Sequence, residues 1–255
     1  MKGDRISDSK TLRIEELSLN SWPALHSTVY DGWVLRLADG FTDRCNSVWP
    51  LYESNLKTEV KVSRCESFYA SVNQPAIFRI TSDVSHRELD ALLGDRGYAV
   101  KTPTIVQSLD ISNMSRHKET ENVAISRYPD NSWIDDVVDV MEFTGPTSAY
   151  RAILQKIIWP LGLARIGAPG DVTTLGLGVV EDKFLGMYGA HTRNSRRRQG
   201  WGRKLMTGLI QWGRNLGAEL AYLHVEADNI PARKLYDSLG FVDIYRYWYR
   251  VKRVN

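Results

Sequence analysis

Residues 183–203 read KFLGMYGAHTRNSRRRQGWGR, and they join an apolar stretch to an amphipathic one through a basic loop that contains glycine. Gly200 and Gly202 allow the backbone to approach a bulky anion with its N–H groups turned inward, and a helix that begins at Gly202 would add the positive end of its dipole. The three arginines at 196–198 carry planar donors that suit phosphate oxygens. The stretch therefore predicts a strand, a loop that holds a phosphate or pyrophosphate, and a helix.

Two other phosphate-binding loops do not fit this pattern. A dinucleotide-binding fingerprint needs a third glycine, and Arg203 and Leu205 stand around that place. A Walker A loop needs Ser or Thr after its lysine, whereas Lys204 is followed by Leu205. On the loop alone, a solvated basic turn or a basic patch for nucleic acid is also open.

The residues after the loop alternate between helix and strand patterns. Apolar residues at 205, 209, 212 and 216 share one helix face, and residues 218–225 read AELAYLHV, which is typical of a buried strand. The run from Asp228 to Pro231 is a capped helix start. Gly240 is typical of a helix end, and Phe241 opens a last strand.

Two segments in this order carry a family resemblance. The pattern Arg197-x-x-Gly200-x-Gly202, followed by Asn229-x-x-Ala232-x-x-Leu235-Tyr236-x-x-x-Gly240-Phe241, resembles the signature segments of the GNAT superfamily of acyl-CoA N-acyltransferases. The resemblance covers roughly residues 120–250. It implies an acetyl-CoA-dependent N-acetyltransferase whose glycine loop binds the pyrophosphate of coenzyme A and whose preceding strand lines the pantetheine arm.

The resemblance can be transferred to this sequence residue by residue. The loop at 197–202 would contact the pyrophosphate, residues 190–192 the pantetheine arm, and Tyr236 the sulfur. The implied coenzyme-binding residues are Ala190, His191, Thr192, Arg197, Arg198, Gln199, Gly200, Trp201, Gly202, Arg203, Asn229, Ala232 and Tyr236.

The chemistry of N-acyl transfer points to two catalytic candidates. Backbone donors must stabilise the carbonyl oxygen, and strand 184–192 offers them if it diverges from its neighbour. Tyr236 is the predicted proton donor to the departing thiolate, because a phenol is neutral at rest. His191 is the candidate base, since it alone on that strand titrates near neutrality. A water chain, an amine that binds deprotonated, Glu226 and Asp228 are the alternatives.

The composition excludes several other classes of protein. The chain has 255 residues and a formal net charge of +3, which is too even for a general nucleic-acid binder. Cys45 and Cys65 have no metal-ligand spacing, so we expect reduced thiols, no metal and a cytoplasmic location. The polar amino terminus lacks a secretory signal, and no apolar run is long enough to cross a membrane.

The polar segment 113–122 predicts a boundary between an amino-terminal lobe at 1–115 and a catalytic domain at 120–255. We expect an α/β (α+β) fold of tandem GNAT-like lobes, each a mixed, mostly antiparallel sheet flanked by helices. In the catalytic domain the patterns before the loop predict strands at 123–127, 174–180 and 183–192, and helices at 133–143 and 148–159. In the first lobe they predict strands at 33–37, 45–52, 76–81 and 98–111, and helices at 56–72 and 85–96.

The first lobe repeats part of the second without its loop. Leu92-Leu93-x-x-x-Gly97-Tyr98 has the spacing of Leu235-Tyr236-x-x-x-Gly240-Phe241, with Leu93 in place of Tyr236. A degenerate first lobe that lost coenzyme binding is our interpretation, with chance as the alternative, because helix–glycine–strand junctions are common. Its remaining polar and aromatic residues would then face the acceptor; they are Trp33, Arg36, Arg44 and Asn46.

The predicted reaction is transfer of an acetyl group to a primary amine of a small metabolite, amino acid or antibiotic. Two alternatives are a non-catalytic acyl-CoA-binding regulatory or interaction protein and a protein acetyltransferase. We expect neither nucleic acid nor a membrane as a partner, and the sequence leaves a homodimer open.

Overall fold

The computed structural model describes residues 4–114 and 123–252. Backbone contacts divide the chain into two compact units. The first unit comprises the chain up to Val106 together with 226–228 and the residues from Ile244 on, and the second comprises 107–225 and 229–243. These units do not follow chain order as the predicted 1–115 and 120–255 do, because the last strand pairs within the first unit. Residues 115–122 of the expected boundary lie outside the described residues.

The elements up to residue 110 include most of those expected for the first lobe. In chain order they are α1 (Asp4–Ser21), β1 (His26–Tyr30), β2 (Trp33–Leu37), β3 (Val48–Pro50), α2 (Thr58–Ser71), β4 (Ile77–Thr81), α3 (Arg87–Asp95) and β5 (Tyr98–Asp110). The strand expected at 45–52 is confined to β3, because a short 3-10 turn occupies Asp43–Cys45. Helix α1 was not predicted, since its sequence is mostly polar.

The remaining elements follow the order expected for the second lobe, with one addition. They are β6 (Ala124–Ser126), α4 (Asn131–Met141), α5 (Thr147–Gln155), β7 (Leu161–Ala168), β8 (Asp171–Glu181), β9 (Phe184–Thr192), α6 (Trp201–Asn215), β10 (Leu220–Glu226), α7 (Ile230–Leu239) and β11 (Val242–Lys252). Strand β7 was missed because its glycines weaken a strand pattern. One of them, Gly162, is required by packing, since a Cβ there would lie 2.9 Å from the Trp212 ring.

The sheet of the first unit has the order β1-β2-β3-β4-β11. Its neighbours are antiparallel except for the parallel pair β3 and β4. The core packs edge-to-face aromatic pairs, with Phe78 between Trp33 (ring centroids 6.2 Å apart) and Tyr98 (5.5 Å apart). Cys65 lies in this core, where burial raises the pKa of its thiol to about 12, and Cys45 is also a buried free thiol.

A buried ion pair fixes α1 to this sheet. The Arg79 guanidinium donates two hydrogen bonds of 2.6 Å to the Glu15 carboxylate, and the Tyr245 hydroxyl donates a third at 2.5 Å. The Arg79 guanidinium also stacks 3.3 Å from the Tyr247 ring centroid. Burial acts to lower the pKa of Arg79, but the Glu15 charge outweighs it and holds that pKa well above its usual value. The pair thus joins α1, β4 and β11.

Removing the Glu15 carboxylate should therefore destabilise the protein strongly. We expect Glu15→Ala to lower the free energy of unfolding by about 3–5 kcal/mol, because Arg79 is left charged and buried without its partner. The matched control is Glu16→Ala, whose side chain is 31% exposed and should cost less than about 1 kcal/mol. Urea denaturation of both variants measures the difference, and equal midpoints would contradict a structural role for the pair.

The parallel strands β3 and β4 pair at a single position and then diverge. Only Val48 and Phe78 are matched in register. Beyond them the His86 imidazole bridges the strand ends: Nδ1 accepts from the Thr81 N–H at 2.9 Å, and Nε2 lies 2.8 Å from the Pro50 carbonyl oxygen. Burial lowers the pKa of His86, which keeps the ring neutral in this role. The His86 ring therefore links the ends of the diverging strands, and a pocket lined in part by Pro50, Thr81 and His86 lies beside it.

The expectation that polar residues of the first lobe face an acceptor is wrong for Arg36 and Asn46. Arg36 is 1% exposed, and its guanidinium donates to the Arg44 carbonyl at 2.7 Å. Asn46 is 4% exposed, and its amide bonds to four backbone groups of the loop at 38–42. Trp33 is a core residue. Arg36 and Asn46 thus bond to backbone groups inside the first unit, and Trp33 packs in its core.

The sheet of the second unit has the order β10-β9-β8-β7-β6 and is antiparallel except for β9 and β10. Helices α6 and α4 cover its opposite faces. A Cβ on Gly178 would lie 3.2 Å from Trp212 of α6. Arg165 is paired with Leu175, which points to the other face, and Arg165 bonds to Asp136 of α4 at 2.5 Å.

Candidate functional site

Strands β9 and β10 run side by side for four residue pairs and then diverge. The last matched pair is Met187 and Leu223. The Lys183 carbonyl oxygen accepts hydrogen bonds from the N–H groups of Glu219 and Leu220, so it points toward β10. Backbone groups alternate in direction from one residue to the next along a strand, so the odd-numbered residues of β9, including Gly189, direct their N–H groups toward β10. This alternation points the Gly189 N–H toward the gap that opens beyond Met187, and the expected binding of an acyl group by strand 184–192 stays a prediction.

A bulge on the other side of β9 accompanies the divergence. The register with β8 changes between Leu175 and Leu177, so Gly189 and Ala190 together oppose Gly176. Gly189 has φ +60°, and a Cβ on Gly176 would lie 3.1 Å from the Ala190 Cα. Glycine is therefore favoured at position 189 by its backbone conformation and at position 176 by the close approach of β9. The bulge bends β9 away from its regular course.

The basic loop ends in two left-handed residues at the start of α6. Arg198 has φ +61° and Gly200, the residue preceding the helix, has φ +84°. A left-handed conformation is costly for arginine, and strain of this kind collects at ligand sites. A Cβ on Gly200 would meet no protein atom within 4 Å. The cradle formed by the loop and the first N–H groups of α6, which have no acceptor within the helix, is thus open to an anion.

Helix α7 lies against the first turn of α6. A Cβ on Gly202 would lie 3.1 Å from Leu235 Cδ2, so the second glycine of the motif serves the contact between the helices. Asn229 caps α7 by accepting from the Ala232 N–H at 3.2 Å, and Gly240 ends the helix at φ +95°, as the sequence predicted. Asn229 is exposed.

Side chains on both sides of the loop fix its ends. Arg193 forms an ion pair with Asp139 of α4, and Asn194 donates to Glu142 at 2.8 Å. At the other end Arg203 donates to the Ser238 hydroxyl at 2.6 Å, so its guanidinium is held by α7. The loop between these anchors presents exposed side chains, which are Arg196, Arg197, Arg198 and Gln199.

His191 is held neutral by its surroundings. Burial, and then the charge of Arg197, lower the pKa of His191, and Glu142 opposes them. The Arg197 guanidinium lies 3.3 Å from His191 Nε2, so Nε2 accepts and the ring proton is on Nδ1. Neutrality suits a base, but the Nε2 lone pair is engaged by Arg197 in this arrangement.

Removing the Arg197 charge should raise the pKa of His191. Arg197→Ala leaves burial in place and deletes the second cause of the shift, so we expect the pKa to move toward the ordinary histidine value of about 6.5. Titration of the imidazole C–H signals by NMR measures it, with Arg196→Ala as the control that retains Arg197. An unchanged titration of His191 in Arg197→Ala would show that burial alone sets the shift.

Tyr236 is a buried phenol on α7. Its side chain is 9% exposed, and its ring packs 6.0 Å from that of Phe241. Burial raises the pKa of Tyr236, so the hydroxyl stays protonated at neutral pH. This is the protonation state that a proton donor requires.

Three aromatic side chains at the divergence were not singled out from the sequence. Tyr188 and His224 are the first residues of β9 and β10 beyond the last matched pair, and their rings stack at 5.8 Å with an interplanar angle of 27°. The Tyr222 hydroxyl lies 2.9 Å from that of Tyr188. Alternation along AELAYLHV places Tyr222 and His224 on one strand face, which is the signal that would have identified them.

Other expectations for the site concern acids, metals and membranes. Glu226 and Asp228, the alternative bases, are exposed and belong to the first unit by contacts. Within residues 4–114 and 123–252, no three His, Cys, Asp or Glu side chains are grouped to hold a metal ion. No helix in the described ranges is long and apolar enough to span a bilayer.

Comparison with known proteins identifies a matching family and a relative that is similar over nearly the whole chain. The family described as "Probable histone acetyltransferase Rv0428c C-terminal" matches residues 9–250. The uncharacterized N-acetyltransferase YobR of Bacillus subtilis (strain 168) is 30% identical over 248 residues, which cover 94% of this chain and 98% of the relative.

Solved structures share the architecture at low sequence identity. A GCN5-related N-acetyltransferase from Kribbella flavida superposes with a TM-score of 0.69 at 15% identity, covering 96% of each chain. A tandem GNAT protein from the clavulanic acid biosynthesis pathway gives a TM-score of 0.61 at 12% identity, covering 99% of this chain and 97% of the other. At these identities the likeness concerns the fold.

Proposed function

Because the chain belongs to the Rv0428c C-terminal family of acetyltransferases and has the GNAT fold, we propose that it transfers the acetyl group of acetyl-CoA to a primary amine of a small molecule. The acceptor would be an amino acid, a metabolite or an antibiotic. The observation that carries the proposal is the gap between β9 and β10, which opens after Met187 and Leu223 in the same unit as the glycine loop.

The residues of the loop fit a pyrophosphate. Gly200 and Arg198 turn the backbone into a left-handed cradle at a helix start, and no protein atom fills the space where a Gly200 side chain would be. The exposed arginines at 196–198 add charge-assisted donors. Arg203 would contribute through its backbone, since its guanidinium is bonded to Ser238. Coenzyme A binding at 190–192, 197–203, Asn229, Ala232 and Tyr236 follows as part of the proposal.

Coenzyme A, when bound, supplies the acetyl group as an activated thioester. The Gly189 N–H, directed into the gap, would donate to the carbonyl oxygen as negative charge develops there. A fixed backbone donor is effective because it needs no reorganisation during the reaction. Tyr236, protonated and largely buried, would supply the proton that sulfur requires when the C–S bond breaks.

A protein acceptor is the second candidate, and one observation favours it. The family that matches the chain is described as a probable histone acetyltransferase. The small-molecule and protein readings differ in the acceptor and share the donor, so one assay distinguishes them. A cytoplasmic location, and partners that include neither nucleic acid nor a membrane, remain predictions from the sequence.

Thiol release tests the function directly. We expect the protein to liberate free thiol from acetyl-CoA when incubated with members of a panel of amino acids, diamines and aminoglycosides, and to leave a histone H4 amino-terminal peptide unmodified. Mass spectrometry should find the acetylated amine. Acetylation of the peptide alone would favour the second candidate, and no thiol release with any acceptor would contradict the function.

A binding measurement tests the role of the loop. Gly200→Val should weaken calorimetric binding of coenzyme A, because valine resists φ +84° and fills the cradle, and Arg198→Ala should weaken it by about 1.5–3 kcal/mol. The matched control is Gly217→Val at the other end of α6, where φ is +92° and a Cβ also meets no atom within 4 Å. Equal coenzyme A affinity of the Gly200 and Gly217 variants would contradict the proposal that the loop binds the coenzyme.

Tyr236 should matter to turnover and little to binding. Tyr236→Phe keeps the ring that packs on Phe241 and removes the proton, so we expect kcat to fall by about 10²–10⁴-fold. Coenzyme A affinity should stay within about twofold of the wild type. Unchanged kcat in this variant would restrict Tyr236 to packing.

A further inference from the structure

The group that accepts the amine proton is the part of the proposed reaction that the signature segments leave unassigned. Of the candidates weighed from the sequence, His191 has its Nε2 lone pair engaged by Arg197, and Glu226 and Asp228 are exposed residues of the first unit. A different histidine, His224, occupies the divergence of β9 and β10 itself. The inference below rests on the proposed function and assigns a residue to it.

His224 stands at the mouth of the gap. The last pair in register is Met187 with Leu223, so His224 is the first residue of β10 with no matched partner on β9. Its side chain is partly exposed, in contrast to Tyr188 and Tyr222, which are 4% and 1% exposed. His224 thus keeps partial exposure at the divergence, although its Nδ1 atom is buried, whereas the two phenols beside it are enclosed.

The ring lies on the sheet face opposite the coenzyme helix. A Cβ on Gly213 of α6 would lie 2.8 Å from Leu185, so Leu185 faces α6 and its even-numbered neighbours on β9 face away. Tyr188 is among these, and its ring stacks on that of His224, so His224 shares its face. The acetyl thioester and an amine would thus meet at the gap. The imidazole would lie on the sheet face opposite α6.

Two tyrosines hold the imidazole in a defined orientation. Tyr188 stacks on it at 5.8 Å, and Tyr222 meets it nearly edge-on at 6.0 Å and 65°. The Tyr188 and Tyr222 hydroxyls lie 2.9 Å apart, which couples the two rings. A Cβ on Gly186 would lie 2.6 Å from the Tyr222 hydroxyl, so a glycine at that position makes room for the cluster. An oriented imidazole is what general base catalysis requires.

We propose that His224 is the catalytic residue that accepts the proton of the attacking amine, with Tyr188 as its positioning residue. The neutral amine nitrogen forms the C–N bond to the acetyl carbon, and its proton moves to the imidazole. The C–S bond breaks, and the sulfur takes the proton of the Tyr236 hydroxyl. The imidazolium returns a proton to Tyr236 through solvent, so the products are the amide and the free thiol with no net proton change.

Substitution of His224 tests this assignment in the full-length protein. With acetyl-CoA and the amine that gives the highest kcat/KM in the panel above, His224→Gln should lower kcat by about 10²–10⁴-fold. Its calorimetric affinity for coenzyme A should stay within about twofold of the wild type. In His224→Ala, added imidazole should restore kcat at least about tenfold with saturation, because the vacated space admits the missing base.

A matched histidine outside the site provides the control. His26 is exposed on β1, so His26→Ala should keep the wild-type kcat and should not respond to imidazole. Wild-type kcat in His224→Gln would overturn the assignment while leaving the proposed function intact. Loss of coenzyme affinity in both His224 variants without imidazole rescue would also overturn it, as a packing role. A wild-type protein that releases no thiol with any acceptor would overturn the proposed function and this assignment together.

Discussion

The short parallel pairing of β9 and β10 is the constraint on which the rest of the second unit depends. Both strands continue past Met187 and Leu223, yet their matched register stops at this pair. The bulge at Gly189 and Ala190 turns β9 away, and Gly176 gives it room on the other side. Strand β9, which diverges from β10, leads directly into the basic loop. The same deviation from regular sheet geometry therefore opens the gap and positions the loop at the start of α6.

Sequence reasoning predicted the second unit well where local chemistry is decisive. Asn229 and Gly240, at the two ends of α7, are a cap and a left-handed helix end, and each acts through its own backbone. The position of the loop was also predicted, since β9 ends at Thr192 and α6 begins at Trp201, while its role in coenzyme binding stays a prediction. Strand β7 was missed for the opposite reason: Gly162 is set by the distant Trp212, and no local pattern reveals that contact.

The aromatic cluster and the first unit show a second limit of the sequence. Tyr188 and His224 lie on different strands, so their stacking depends on where the pairing stops, and a pattern of residues does not give that position. Arg36 and Asn46 look like surface recognition groups in sequence, but they satisfy buried carbonyl and N–H groups of a loop. Charged and polar residues could not be assigned to interior or surface before the tertiary contacts were known.

The two units solve the same geometric problem in different ways. Strands β3 and β4 also diverge after a parallel contact, but His86 spans the opening and satisfies backbone groups on both sides. In the first unit a side chain thus spans the kind of gap that in the second unit lies beside the loop. The resemblance between Gly97, at φ +83°, and Gly240, at φ +95°, extends this likeness to the helix ends.

The membership of β11 in the first unit has a consequence for how the chain acquires its structure during synthesis. Tyr245 completes the Glu15–Arg79 cluster, and residues 247–251 pair with β4. In the sequence, these residues are separated from the rest of the first unit by residues 107–243, of which only 226–228 belong to that unit. A ribosome releases the chain in order from its amino terminus. The amino-terminal unit must therefore wait, with Arg79 uncovered by the Tyr247 ring and one edge of β4 unpaired, until the second unit has emerged. The part of the protein that is made first is thus the part that is finished last.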